Sequence, residues 1–383
     1  MTQATTTPEN DTLATRLTTG ALAQIDFLRG LFALLVLAGH AFDVSLLYAS
    51  KGPLYRLVAE LRGILGFVWV GGFVVLSGFC IELSCMKQER KKSFSMLRYL
   101  AQRASRIFPL LVVCVVIAGL LEWWMSHSEI RPQVWPRGID WNHLLINLAG
   151  AGGFFGQFGS IAPAYTISYE LLYYLLWGST RALVRDRVGW GLAANFGFAL
   201  GYVMFPALSH QLPAGVSQVF SPFIVLVYIP WLLGAATARS WGMLLGVSWI
   251  RGISRYSWPI LLVGAFMAFR LSNMPSFDVN PASIVYYALL SFGFVLLILH
   301  ACDQPLSDGS GRRNHFLGEL SYPLYLIHGP AIIFAGFLLN YWSHKLPFFV
   351  HFSFLILIAI LMAYTLVLLV ERPVMNARKR YFG

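Results

Sequence analysis

Long apolar runs separated by short polar segments set the pattern of this chain. A helix that crosses a bilayer requires about 20 apolar residues. On that measure the pattern predicts ten spans, at 25–48, 63–84, 107–125, 164–181, 189–208, 219–238, 256–271, 282–300, 317–338 and 348–370. The first run is too long for the core of a signal peptide, and no small-residue cleavage site follows it. The seventh run is short. The stretch 143–161 is also apolar, but Gly150, Gly152, Gly153, Gly156 and Gly159 interrupt it. It predicts a re-entrant or interfacial element, because irregular backbone at membrane depth is tolerated only where protein or water covers it. Residues 1–24, rich in Thr at their start, read as disordered, and 376–383 as a basic tail. The fold expected is all-α, a polytopic membrane domain over 25–375.

Composition excludes a set of soluble domains. Of 383 residues, 57% are hydrophobic and 12% charged, with a mean hydropathy of +0.64. Soluble domains carry about 25% charged residues. The net charge of +11 would suggest nucleic acid in a soluble protein; here the basic residues fall between spans. With ten spans both termini share a side. The loops on that side then hold twenty Lys and Arg, seven of them between Lys87 and Arg106, against six on the other: Lys51, Arg56, Arg62, Arg131, Arg137 and Lys345. The asymmetry predicts cytoplasmic termini in a multi-pass inner-membrane protein. Cys80, Cys85, Cys114 and Cys302 show neither metal spacing nor a disulfide framework; they read as small hydrophobes.

Ionisable residues inside spans are costly and mark candidate chemistry. Arg29 and His40 lie eleven residues apart in the first span. Eleven helical steps come to about three turns plus 20°, so both share a face, about 16 Å apart along the axis. Asp43 is one turn beyond His40. A cation at one end and a titratable base at depth fit a long anionic ligand threaded along this helix. The spacing fits equally a snorkelling Arg and a His bonded to a neighbouring helix. Arg103 and Arg106 sit one helical turn apart in the segment after the second span; as a pair they suit phosphate, or simply the positive-inside loop. Glu170 lies several residues into the fourth span, and a buried carboxylate needs a partner or a proton. Glu122, near the end of the third span, reads as interfacial. His328 lies mid-span between Pro323 and Pro330.

The order Arg29-x10-His40, Leu76-Ser77-Gly78-Phe79, Arg103-x-x-Arg106 with Pro109, Thr166-x-Ser168-x-Glu170, Ser321-Tyr322-x-Leu324-Tyr325-Leu326-x-His328-x-Pro330 and Glu371-x-Pro373 resembles the acyltransferase 3 family. The match runs from about 25 to 375. The stretch 143–161 matches no family motif, and a chain stopping at Gly383 looks like a stand-alone form. The resemblance implies a membrane O-acyltransferase. Its donor would be acetyl-CoA or another short acyl-CoA from the cytoplasm, with no metal. Its acceptor would be a carbohydrate, such as a surface polysaccharide or its lipid-linked precursor. By the same resemblance Arg103, Arg106 and Arg29 would meet the donor's phosphates, and His40 would be the general base. Asp43 or Glu170 would orient the imidazole. Tyr165, Ser168, Tyr325 and His328 would contact the acceptor. A transporter or flippase for a lipid-linked sugar would need the same buried charges and broken helices.

Overall fold

The computed structural model describes residues 17–48, 67–91, 94–128, 141–184, 187–272, 279–305, 311–342 and 346–382. The expectations for residues 1–16, for the first residues of the second span, and for Lys51, Arg56, Arg62, Arg131, Arg137 and Lys345 lie outside that set. Every regular element among the described residues is helical.

Ten helices stand where the ten apolar runs predict them: α1 (Thr19–Tyr48), α2 (Phe67–Lys91), α3 (Met96–Ser126), α6 (Thr166–Val184), α7 (Val188–Met204), α9 (Pro222–Gly246), α11 (Ser257–Ser272), α12 (Pro281–Cys302), α13 (Gly311–Trp342) and α14 (Phe348–Leu366). Shorter helices complete the order: α4 (Trp141–Leu148), α5 (Gly152–Phe155), α8 (Ala214–Val219), α10 (Ser248–Ser254) and α15 (Arg372–Phe382). Seven of the ten are long and apolar enough to cross a membrane. The exceptions are α7 and α11, which are short, and α6, which carries Glu170 and Arg181. Large apolar side chains such as Leu120, Trp190, Phe292 and Leu369 face outward. That is the surface of a molecule solvated by lipid.

Helices start and stop differently from the runs where polar residues extend them. α1 begins at Thr19, so the segment read as disordered is helical at its end. α3 begins at Met96 rather than near 107, with Ser95 accepting the Arg98 N–H as its N-cap. Arg98, Arg103 and Arg106 therefore lie on the helix, not in a loop. At the other end of the chain, 376–382 of the segment read as a tail form the end of α15. This helix follows α14 through a π-helical turn at Val367–Glu371. It is tied to the first turns of α3, because Arg378 donates to the Ser105 hydroxyl (3.1 Å) and the Gln102 carbonyl (3.0 Å).

Two helix pairs dominate the packing: α1 against α13, and α2 against α9. Glycine permits both. A Cβ at Gly78 would collide with the Trp231 carbonyl, and one at Gly234 with the Val75 carbonyl, so α2 and α9 touch backbone to backbone as small-residue membrane interfaces do. Both described ends of the chain lie at one end of the bundle. The Thr18 hydroxyl donates to the Gln304 carbonyl after α12, and Arg372 pairs with Glu319 near the start of α13.

The glycine-rich stretch divides into α4, α5 and a 3-10 turn at Gly159–Tyr165, none long enough to cross. Gly150, Gly156 and Gly159 have positive φ, which glycine adopts without steric cost. Side chains from neighbouring helices satisfy the freed backbone groups. Glu122 of α3 accepts the Ser160 N–H in a short contact, and Ser168 of α6 accepts the Gly153 N–H (2.8 Å). Asn147 donates to the Gly156 carbonyl (2.9 Å).

Candidate active site

The α1–α13 contact brings His40 and His328 together. Their rings stack with centroids 5.1 Å apart and planes 29° off parallel. His328 is 1% exposed. Its Nδ1 lies 2.8 Å from the Tyr325 carbonyl and 3.2 Å from that of Leu324. A carbonyl can only accept, so Nδ1 carries the proton and Nε2 keeps its lone pair. Nε2 is buried with no hydrogen-bond partner. His40 is less enclosed than its partner. Asp43 follows on the same helix one turn later.

Beside this pair opens a cavity of about 160 Å³. Arg29, Arg103 and Arg106 line it, as do Ser77, Glu170 and Tyr325. The three arginines come from two helices, α1 and α3. The face shared by Arg103 and Arg106 is the one turned to the cavity. Tyr325 joins the cavity to the histidines. It lines the one, its ring centroid stands 5.9 Å from that of His328, and its hydroxyl makes a short bond with Thr166. Arg29 is held at 3.3 Å by Asp26, which also meets Nδ1 of His315 at 3.2 Å. The sequence reading passed over both partners.

Several expected contacts fall elsewhere. The Glu170 carboxylate accepts a short bond from Ser77 and meets Tyr174, so an imidazole is not its partner. The Ser168 hydroxyl accepts the Gly153 N–H, which makes it a brace for the glycine-rich stretch. Tyr165 packs edge-on against Tyr169 at 5.5 Å, beside that same stretch. His351, given no role, bonds Ser45 at 3.1 Å and ties α14 to α1.

A second ionic cluster lies deeper between α2, α6 and α9. Glu82 is 0% exposed and Arg181 1%. Arg181 lies 3.6 Å from Glu82 and makes a closer ion pair with Glu89. Arg239 reaches Glu82 at 2.6 Å, and the Trp177 indole N–H donates to it at 2.8 Å. Arg181 and Arg239 count as loop cations in the sequence reading, but both are paired within the bundle. The signal was Glu82, a carboxylate inside an apolar run, where a partner is required.

The family model for an acyltransferase domain, Acyl_transf_3, matches residues 22–368. A protein of Komagataeibacter xylinus, BcsY, provisionally named a membrane-bound transacylase, is 26% identical over 339 residues, which cover 84% of this chain and 75% of that protein. No solved structure matches the chain.

Proposed function

Since the chain belongs to the acyltransferase 3 family, and is a polytopic membrane protein built for acyl transfer, we propose that it moves a short acyl group, acetyl in the simplest case, from acyl-CoA to a hydroxyl of a carbohydrate. The cavity's arginine end faces the cytoplasm in this reading, as the loop charges require. The observation that carries it is the stacked His40–His328 pair, joined through Tyr325 to a cavity that three arginines line.

The donor's phosphates meet Arg103, Arg106 and Arg29, and its arm runs the roughly 16 Å from Arg29 to His40. His40 removes the proton from the acceptor hydroxyl. The oxygen attacks the thioester carbon, the C–O bond forms as the C–S bond breaks, and the proton returns from His40 to the departing sulfur. His328 acts through His40, because its stacked and tautomerically fixed ring holds the base in place. Asp43 helps to orient the same imidazole. Glu170 holds Ser77 and the cavity wall, and Tyr325 stands where the acceptor and the acyl group meet. The acceptor approaches from the periplasmic side, which His40 is nearer.

The test uses purified protein in vesicles, labelled acetyl-CoA and an acceptor polysaccharide. His40→Ala is expected to lower turnover by about 10² to 10⁴-fold while acetyl-CoA still binds. His328→Ala should leave more residual activity than His40→Ala. A merely twofold loss in His40→Ala would refute the assignment of the base. Failure of the wild type to acylate any acceptor, with sugar movement across the vesicle instead, would favour a flippase.

A further inference from the structure

A second cavity, of about 400 Å³, opens at the end of the bundle where α2 finishes, α3 begins and α15 folds back. Five cations line it: Lys87, Arg98, Arg103, Arg378 and Lys379. Among the described residues no carboxylate lines it; Glu371 acts on Arg378 from outside. Like charges gathered without acids repel one another, and an anionic ligand relieves that repulsion. The rest of the lining is equally specific. Phe382 offers an aromatic ring, and Gln88 and Gln102 offer amides that both donate and accept. Cations, a ring face and amides together fit a phosphorylated purine better than a bare phosphate.

The wall is built from distant parts of the sequence. Arg98 donates to the Phe382 carbonyl (3.1 Å), and Arg378 to the α3 backbone. The C-terminal helix is thus latched to the start of α3, and its own cations face those of α2 and α3. Arg103 lines both this cavity and the inner one. A ligand with a polyanionic head and a long thin arm would have one in each, with Arg103 at the neck.

We propose that this outer cavity binds the adenosine-phosphate head of the acyl donor, with Lys87, Arg98, Arg378 and Lys379 on its phosphates and Phe382 against its base. The inference rests on the CoA-donor reading above and extends it to residues of the C-terminal helix. Phosphate could reach these cations from a nucleotide or from the headgroup of an anionic lipid, so the test separates the two.

The full chain is placed in nanodiscs of neutral phosphatidylcholine, and binding of acetyl-CoA and of adenosine 3′,5′-bisphosphate is measured by calorimetry. The bisphosphate is expected to bind and to compete with acetyl-CoA. Lys87→Gln with Lys379→Gln should weaken both ligands by roughly tenfold or more, since each removes a charge-assisted contact. These two lysines serve because Arg378 also anchors α15. Arg380→Gln, on the same helix but outside the cavity, is the charge-matched control and should change neither affinity. Acetyl-CoA binding that ignores the lysine variants, or a bisphosphate that does not compete, overturns the inference and leaves the donor reading standing. Wild-type binding of the bisphosphate without acetyl-CoA sinks the donor reading but keeps the cavity as a nucleotide site. Lysine variants that lose retention of anionic lipid yet keep nucleotide affinity assign the cavity to lipid and overturn the inference.

Discussion

Replacing Glu82 with Gln probes the buried ion cluster while keeping its shape. The amide oxygen can still accept from Trp177; the negative charge and the second oxygen, to which Arg239 donates, are lost. Arg181 stands 3.6 Å from that charge with both side chains fully buried. At an effective dielectric of about 20 this attraction is about 4 to 5 kcal/mol. Arg239, a third exposed, adds a closer contact that water screens in part. Against this, Arg181 keeps Glu89 as a second partner. Breaking a buried pair typically costs about 3 to 5 kcal/mol, because the surviving charge is left in a medium that does not solvate it. We expect Glu82→Gln to lower the free energy of unfolding in mixed micelles by about 3 kcal/mol or more. Glu89→Gln, with the partly exposed carboxylate, should cost less. Replacing Glu82 and Arg181 together by Met should cost less than the two single losses summed, since neither charge is then stranded. A loss under about 1 kcal/mol in Glu82→Gln would refute the claim that this cluster depends on charge pairing.

Arg103→Ala with Arg106→Ala should weaken acyl-CoA binding in a protein that still inserts, and Lys at both positions should restore it only in part, because a point charge replaces a planar fork. Unchanged affinity would return both arginines to a purely topological role. A reporter fused after residue 383 should be active only when the reporter works in the cytoplasm; activity in a periplasm-specific reporter would reverse the orientation and the donor path with it.

The fold was legible because the longest signal in a membrane sequence is also the most physical one. Backbone groups in lipid must be bonded within the segment, so an apolar run of sufficient length is a helix. Helix ends were less legible. α3 starts at Met96 because Ser95 caps it, and nothing in an apolar count registers a capped polar extension. The arginines of the inner cavity were readable from helical spacing. The His40–His328 stack was not, because no periodicity says that α1 packs on α13. Nor could sequence show that Ser168 and Glu122 brace the glycine-rich stretch, since a hydroxyl or carboxylate beside such a stretch looks the same whether it meets backbone or substrate. Glu82 was readable and was passed over.

The continuity of α3 bears on which acyl groups the protein accepts. Its 31 residues extend for about 46 Å, against a hydrocarbon core of about 30 Å. The helix runs on through Pro109, so the arginines at its start and the membrane-embedded part behind them belong to one rod. In the proposed reading, a donor gripped at that end would be measured off against a fixed rule. Each added methylene of the acyl chain would then move its tip further into the cavity, whose lining includes Phe73 and Tyr325 with their rings 5.4 Å apart. Chain-length preference would then reside in those two side chains at the far end of the gauge, and altering them would change which acyl group is transferred without changing how its carrier is held.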